Sequence, residues 1–198
     1  MEIRANPEPA LDPKMRGVLV RLCQKLGELT KTQAVKLPYL ADVVAVHALG
    51  RRITPSEYEA WDYGVVAPDV WRAIDKNRLD EAFQVKRHEY TEAGSAISLA
   101  TKTADDLTDE EREVVDFVAD EYGQLFVSEL GQLTKALSPE IRYWGSNSHP
   151  SLDDDTFHRL SECWQSTWQR LPRLGLANQK DWGEPITDAK AFVKSMTR

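Results

Sequence analysis

Thr30-Lys31-Thr32-Gln33-Ala34-Val35-Lys36-Leu37-Pro38-Tyr39-Leu40-Ala41-Asp42-Val43-Val44-Ala45-Val46-His47-Ala48-Leu49-Gly50 is the stretch on which the reading of this chain turns. Thr30 to Gln33 has the form of a capping box, in which the threonine accepts an orphan N–H and the glutamine reaches back to the helix start. Gly50 supplies a stop. A helix is therefore expected from Thr30 to about Leu49. Pro38 removes one donor and crowds the preceding turn, so a kink is expected there.

Working outward, Val18, Leu19, Leu22, Cys23 and Leu26 recur at three- and four-residue steps before Gly27 and predict a first helix from Lys14. The Asn6-Pro7-Glu8-Pro9 lead-in cannot donate at its prolines and favours an extended start. Beyond Gly50, Tyr58, Trp61 and Tyr63 lie in an alternating run that ends at Gly64 and predicts a strand near 57–63. Pro68 suits a first helical turn, and Val70, Trp71, Ile74 and Leu79 extend that helix to about 80. Segments 83–90 and 96–100 flank Glu92-Ala93-Gly94-Ser95 as two hairpin strands would. Thr108-Asp109-Glu110-Glu111 is a second capping box, followed by Val114, Val115, Phe117, Val118 and Tyr122 up to Gly123. Ser128 is placed to cap a further helix through Leu137. Past the Gly145–Pro150 loop, Phe157, Leu160, Trp164, Trp168 and Leu171 form one more helical stripe, and a short helix near 188–195 closes the chain. The expected architecture is α+β and predominantly α-helical: a helical body, one small antiparallel sheet from 57–63, 83–90 and 96–100, and an added C-terminal helix.

Composition sets the limits on function. A chain of 198 residues, 41% hydrophobic, can bury about 70% of its unfolded surface in a single body. It holds no apolar run near the roughly 18–20 residues of a membrane span and no secretory leader pattern, so a cytoplasmic location is expected. Cys23 and Cys163, 140 positions apart, match no disulfide framework or metal spacing. Phosphate loops, dinucleotide fingerprints, nucleophile elbows and zinc-protease helices are all missing, so no catalytic residue and no cofactor or metal is assigned. Asp42 with His47, and Asp153-Asp154-Asp155, read as helix-surface and helix-start residues rather than ligands. A hydrolase with an unfamiliar site is the alternative from another class, and a pocket joining His47 and His88 to acids would favour it.

The net charge of −7 argues against direct nucleic-acid contact. A helix-turn-helix reading of Leu125 to Leu137 finds only Lys135 as a cation. The acidity is local: Asp105 to Glu121 carries nine acids against Arg112, or −8, leaving +1 for the remainder. Asp109, Glu113, Asp116 and Asp120 fall at i, i+4, i+7 and i+11, a strip with no lysine on its own helix to relieve it. Such a strip is either a solvated face or a docking surface for a basic partner.

Three stretches together resemble the SocA-like antitoxin family, or Panacea domain. They are Lys36-Leu37-Pro38-Tyr39-Leu40-Ala41-Asp42 with Gly50-Arg51-Arg52-Ile53-Thr54; Glu59-Ala60-Trp61-Asp62-Tyr63-Gly64-Val65-Val66-Ala67-Pro68; and Leu107 to Glu111 through Tyr122-Gly123 to Thr134. Pro38 stands where the family usually has leucine, Val65 where a proline follows the glycine, and Lys135 where histidine often follows the threonine. The resemblance covers residues 14–145, leaving 146–198 as a C-terminal helical extension packed on that domain. It implies an antitoxin that neutralises a toxin from a neighbouring gene by direct contact, or an adaptor delivering its partner to a ClpXP-type protease. Tyr39, Asp42, Trp61, Gly64 and Pro68 are its structural motif residues. Trp61 is expected to complete the core under a turn, and Tyr63 to be reachable by a toxin together with Asp109, Glu113, Asp116 and Asp120. The stripe from Phe157 must be covered, either by the body or across a homodimer. Truncation after Gly145 is accordingly expected to cost solubility or cooperative melting; a well-behaved shortened chain in a thermal melt would show that the extension stands apart.

Overall fold

The computed structural model describes residues 11–61, 64–87, 94–136 and 151–152. The expected helices near 157–171 and 188–195 lie outside them, as do Tyr63, His88 and Cys163. α1 spans Pro13–Leu26, with Asp12 accepting from Lys14 N–H (2.8 Å) and Met15 N–H (3.3 Å). β1, Glu28–Thr30, follows directly. α2 spans Lys31–Leu49, its capping box closed in both directions between Thr30 and Gln33, and Gly50 turns left-handed at φ 73° to end it. β2 (Tyr58–Trp61) and β3 (Gly64–Val66) form a hairpin that leads into α3, Pro68–Asp75. β4 (Phe83–Arg87) and β5 (Ser95–Leu99) come next. α4 (Asp109–Tyr122), α5 (Val127–Ala136) and β6 (Ser151–Leu152) complete the described elements. The fold is α+β and mainly helical.

α2 is the axis of the core. Every residue from Ala34 to Val46 is buried, because α1, α3, α4, α5, β1, β3 and β5 all pack against it. The helix runs unbroken through Pro38. In the turn before it, the Val35 carbonyl accepts from Ala67 N–H at 3.3 Å, and Lys36 Nζ donates to the Val65 carbonyl at 2.9 Å. These two bonds fasten the central helix to β3 and to the residue that follows it.

The single expected sheet is two. β1-β5-β4 is one antiparallel sheet and β3-β2-β6 another. β2 folds back on β3, pairing Trp61 with Gly64, and its other edge takes Ser151–Leu152, so no edge is left for β4. β5 pairs with β4 on one side and on the other with Glu28–Thr30, a strand too short to show alternation in the sequence. α3 also ends earlier than expected. Asn77 turns to φ 51°, and Lys76, Asn77 and Arg78 N–H close on the carbonyls of Arg72, Ile74 and Ala73, which leaves Leu79 beyond the helix. α5 begins one residue before Ser128. Glu129, not Ser128, caps it, accepting from Phe126 N–H at 2.7 Å. Cys23 is buried as a small hydrophobe, and burial pushes its thiol up to about 12.

Two glycines are sites of close approach. Gly64 lies at φ 102°, and a Cβ there would fall 2.2 Å from Thr134 Oγ1 and 2.8 Å from Lys36 Nζ. Gly17 lies inside α1, where a Cβ would stand 2.1 Å from the Asp105 carbonyl oxygen. An exposed helical Gly→Ala change gains about 1 kcal/mol. Gly17→Ala is expected instead to lose roughly 2 kcal/mol, because a backbone carbonyl must be displaced. Urea denaturation of the two chains reads the sign.

Candidate functional site

Asp42 is wholly buried in α2. Its Oδ1 accepts from Ile53 N–H (2.7 Å) and Thr54 N–H (2.9 Å), and its Oδ2 from Thr54 Oγ1 (2.6 Å) and Tyr58 Oη (2.8 Å). One carboxylate therefore ties the central helix to the loop after Gly50 and to the first residue of β2. Tyr58 in turn packs edge-on against Tyr39, with ring centroids 5.5 Å apart. Burial pushes the Asp42 carboxyl up to about 6, against the pull of Thr54, Tyr58 and Arg52. Burial and the neighbouring Asp42 also raise Tyr58, which stays protonated and able to donate.

Above this anchor, β2 alternates. Tyr58 and Ala60 point inward, while Glu59 and Trp61 sit on the outer face and are only half-buried. Trp61 thus rims the core instead of completing it. Its indole meets Trp71 of α3 at 5.2 Å and an interplanar angle of 63°, and its Nε1 donates to Glu59 Oε2 at 2.7 Å. Lys31 Nζ lies 3.3 Å from the centroid of the Trp71 ring and pairs with Asp75. Pro68 is buried at the start of α3.

The acidic strip is shared with α1. Lys14–Glu111 (2.6 Å), Arg21–Asp116 (2.6 Å) and Lys25–Asp120 (3.0 Å) form a ladder ascending both helices in the same direction, so the two run side by side in parallel. Arg21 grips Asp116 with two nitrogens, Nε at 2.7 Å and Nη2 at 2.6 Å. The relief missing from α4 itself comes from this neighbour. Asp109 pairs with Arg112 yet is 96% exposed, and Glu113 is exposed with no ion pair among the described residues. Glu111 is buried between Lys14 and Arg51; burial raises its carboxyl, but those two cations and the Thr108 N–H hold it below its usual value. Arg21 and Lys25, four apart like Asp116 and Asp120, were the signal in the sequence that matched the strip to its partner helix. Lys31 and Trp71 carried no comparable signal, because their meeting depends on how α2 and α3 cross.

The family model described as "Antitoxin SocA-like, Panacea domain" matches residues 35–139, more than half of the 198. The chain belongs to this family. No curated protein and no solved structure matches it. The Panacea match begins inside α2, so α1 and β1 precede it although they pack on it, and it takes in Asp42, the hairpin, α3, β4, β5, α4 and α5. Of the residues that carry the resemblance, Tyr39 and Asp42 lie in the anchor, Gly64 sits where a Cβ would meet both Lys36 and Thr134, and Trp61 lies on the outer face. Among the described residues no cluster of three or more metal-ligating side chains occurs, and no helix is long and apolar enough to cross a membrane.

Asp42→Ala leaves two amides and two hydroxyls without their acceptor and is expected to cost roughly 3–5 kcal/mol. Asp42→Asn should cost less and change the pH response. The folded carboxyl titrates above an unfolded aspartate, so its contribution is full below about pH 4 and is lost as pH rises through about 6. Relative to Asp42→Asn, wild-type stability is expected to fall by up to roughly 3 kcal/mol from pH 4 to 7. Glu111 acts in the opposite sense, its contribution present at neutral pH and lost on acidification. Urea midpoints at several pH values separate the two.

Proposed function

We propose that this Panacea-domain protein is an antitoxin of a toxin–antitoxin system, neutralising in the cytoplasm a toxin from a neighbouring gene by direct protein contact. The observation that carries this is the family match across 35–139, which takes in the Asp42 anchor and the elements around it. The protein acts as a binding protein and not as an enzyme. Its toxin contact is assigned to Tyr63, which lies outside the described residues, and to the exposed end of α4 at Asp109 and Glu113. Asp116 and Asp120 contribute there only in balance with Arg21 and Lys25.

Co-expression with the neighbouring gene's product should restore growth and yield a complex of the two proteins. Rescue that persists when the two cannot associate would refute the proposal, and rescue that vanishes without ClpXP would identify an adaptor instead. Asp109→Lys with Glu113→Lys should weaken the complex and its salt-sensitive association rate while leaving the fold intact, since neither residue joins the α1 seam. Asp116→Lys should also destabilise the fold by unseating α1. Association rates at two salt concentrations, set beside thermal melts, distinguish these outcomes.

A further inference from the structure

We propose that Asp42, Thr54 and Tyr58 form a buried proton-binding site, which takes up one proton on mild acidification with every contact kept and so tightens the hold of β2 on α2. The three side-chain oxygens make a triangle. Thr54 Oγ1 lies 2.6 Å and Tyr58 Oη 2.8 Å from Asp42 Oδ2, while Oγ1 and Oη are 3.3 Å from each other. With Asp42 ionised, both hydroxyl hydrogens point at Oδ2, and the third and longest side of the triangle holds two oxygens with no hydrogen between them. One added proton fills that side. Oδ2–H donates to Thr54 Oγ1, the Thr54 hydroxyl turns to donate to Tyr58 Oη, and Tyr58 goes on donating to Oδ2. Two hydrogens on three sides become three. The Ile53 and Thr54 amides stay on Oδ1, at 2.7 and 2.9 Å, in either state.

Burial favours the neutral ring. All three residues are buried, so the ionised carboxylate forgoes its hydration, and this is what pushes the Asp42 carboxyl up to about 6. The charge that opposes uptake is Arg52, in the loop after Gly50, whose Nη1 donates to the Ser56 carbonyl at 2.7 Å. Its neighbour Arg51 is turned to Glu111 of α4. From α3, Asp69 acts on Tyr58 and accepts from Ser56 Oγ and the Val70 amide; its negative charge disfavours a tyrosinate. From α2, Tyr39 meets the Tyr58 ring edge-on. Tyr58 therefore keeps its hydrogen, and Asp42 is where the proton goes. An opened chain returns Asp42 to water, where an aspartate titrates at about 3.9. Uptake thus favours the closed hairpin in acid, and that preference is lost as pH rises through about 6.

The site is independent of the antitoxin reading, and its test needs no partner. In the full chain the Asp42 Cγ resonance is followed by NMR from about pH 7.5 to about 4.5, with amide hydrogen exchange at Ile53, Thr54 and Tyr58 measured alongside. Cγ should titrate with a midpoint of about 6. Opening at those amides, corrected for intrinsic exchange, should be about tenfold rarer at about pH 5 than at about pH 7.5. Thr54→Val separates the ring from a carboxylate that burial alone has raised. If the Thr54 hydroxyl only donates to the carboxylate, its loss moves the midpoint up. In the ring it also accepts the added proton, and its loss leaves the acid form with a buried hydrogen that has no acceptor. The Thr54→Val midpoint should therefore fall by about one pH unit, and Thr54→Ser should keep the wild-type value. The proposal is overturned by a carboxyl that stays ionised down to about pH 4.5, by a titration accompanied by faster amide exchange, or by a Thr54→Val midpoint at or above that of the wild type. Should Thr54→Val fail to fold, the wild-type titration and exchange decide the matter by themselves.

Discussion

The Asp42 carboxylate is the constraint around which the rest of the molecule is arranged. Two backbone amides and two hydroxyls converge on it from the loop after Gly50 and from the first residue of β2. An isolated buried charge is costly; four donors offset most of that cost, and in doing so they dictate where the chain after Gly50 must run. The return of the chain along β2 places Tyr58 inward, and strand alternation then puts Glu59 and Trp61 outward. The outer face of the hairpin is a consequence of the buried bond beneath it.

A second, softer constraint aligns α1 with α4. Individually, ion pairs at a surface contribute little, about 0–1 kcal/mol each. Their effect here is to set register: three pairs in parallel order leave one way for the helices to lie side by side without like charges meeting. Gly17 lets the chain at Asp105 approach α1 at a distance no other residue permits. The acids of α4 therefore divide into a group that holds the fold together and a group, Asp109 and Glu113, still turned to solvent.

Two fasteners lie close to Pro38 in the central helix. The Val35 carbonyl accepts from the Ala67 amide, and one residue on, the Lys36 ammonium donates to the Val65 carbonyl. β3 is drawn against α2 and α5, and Gly64 fits between Lys36 and Thr134 where a Cβ would not. The hairpin that presents Trp61 is thus held from behind by its backbone and from below by Tyr58.

By itself the sequence determined the local elements of this protein: both capping boxes, the glycine stop after Leu49, the helix from Asp109 and the strand segments near 58, 83 and 95. These depend on contacts within a few residues, and such contacts are written in spacing. The motif residues were legible too, and with them the family. Tertiary structure alone decided that the strands form two sheets, that Glu28–Thr30 is an edge strand, and that Trp61 faces outward against Trp71. It also decided that Arg21 and Lys25 neutralise half of the acidic strip. Each of these joins residues between about 10 and 95 positions apart in the chain, and a short strand or a lone cation has no periodicity that names its partner. The pairing is chosen by which arrangement buries the apolar faces while leaving no amide, hydroxyl or carboxylate without a partner, and that choice belongs to the whole fold.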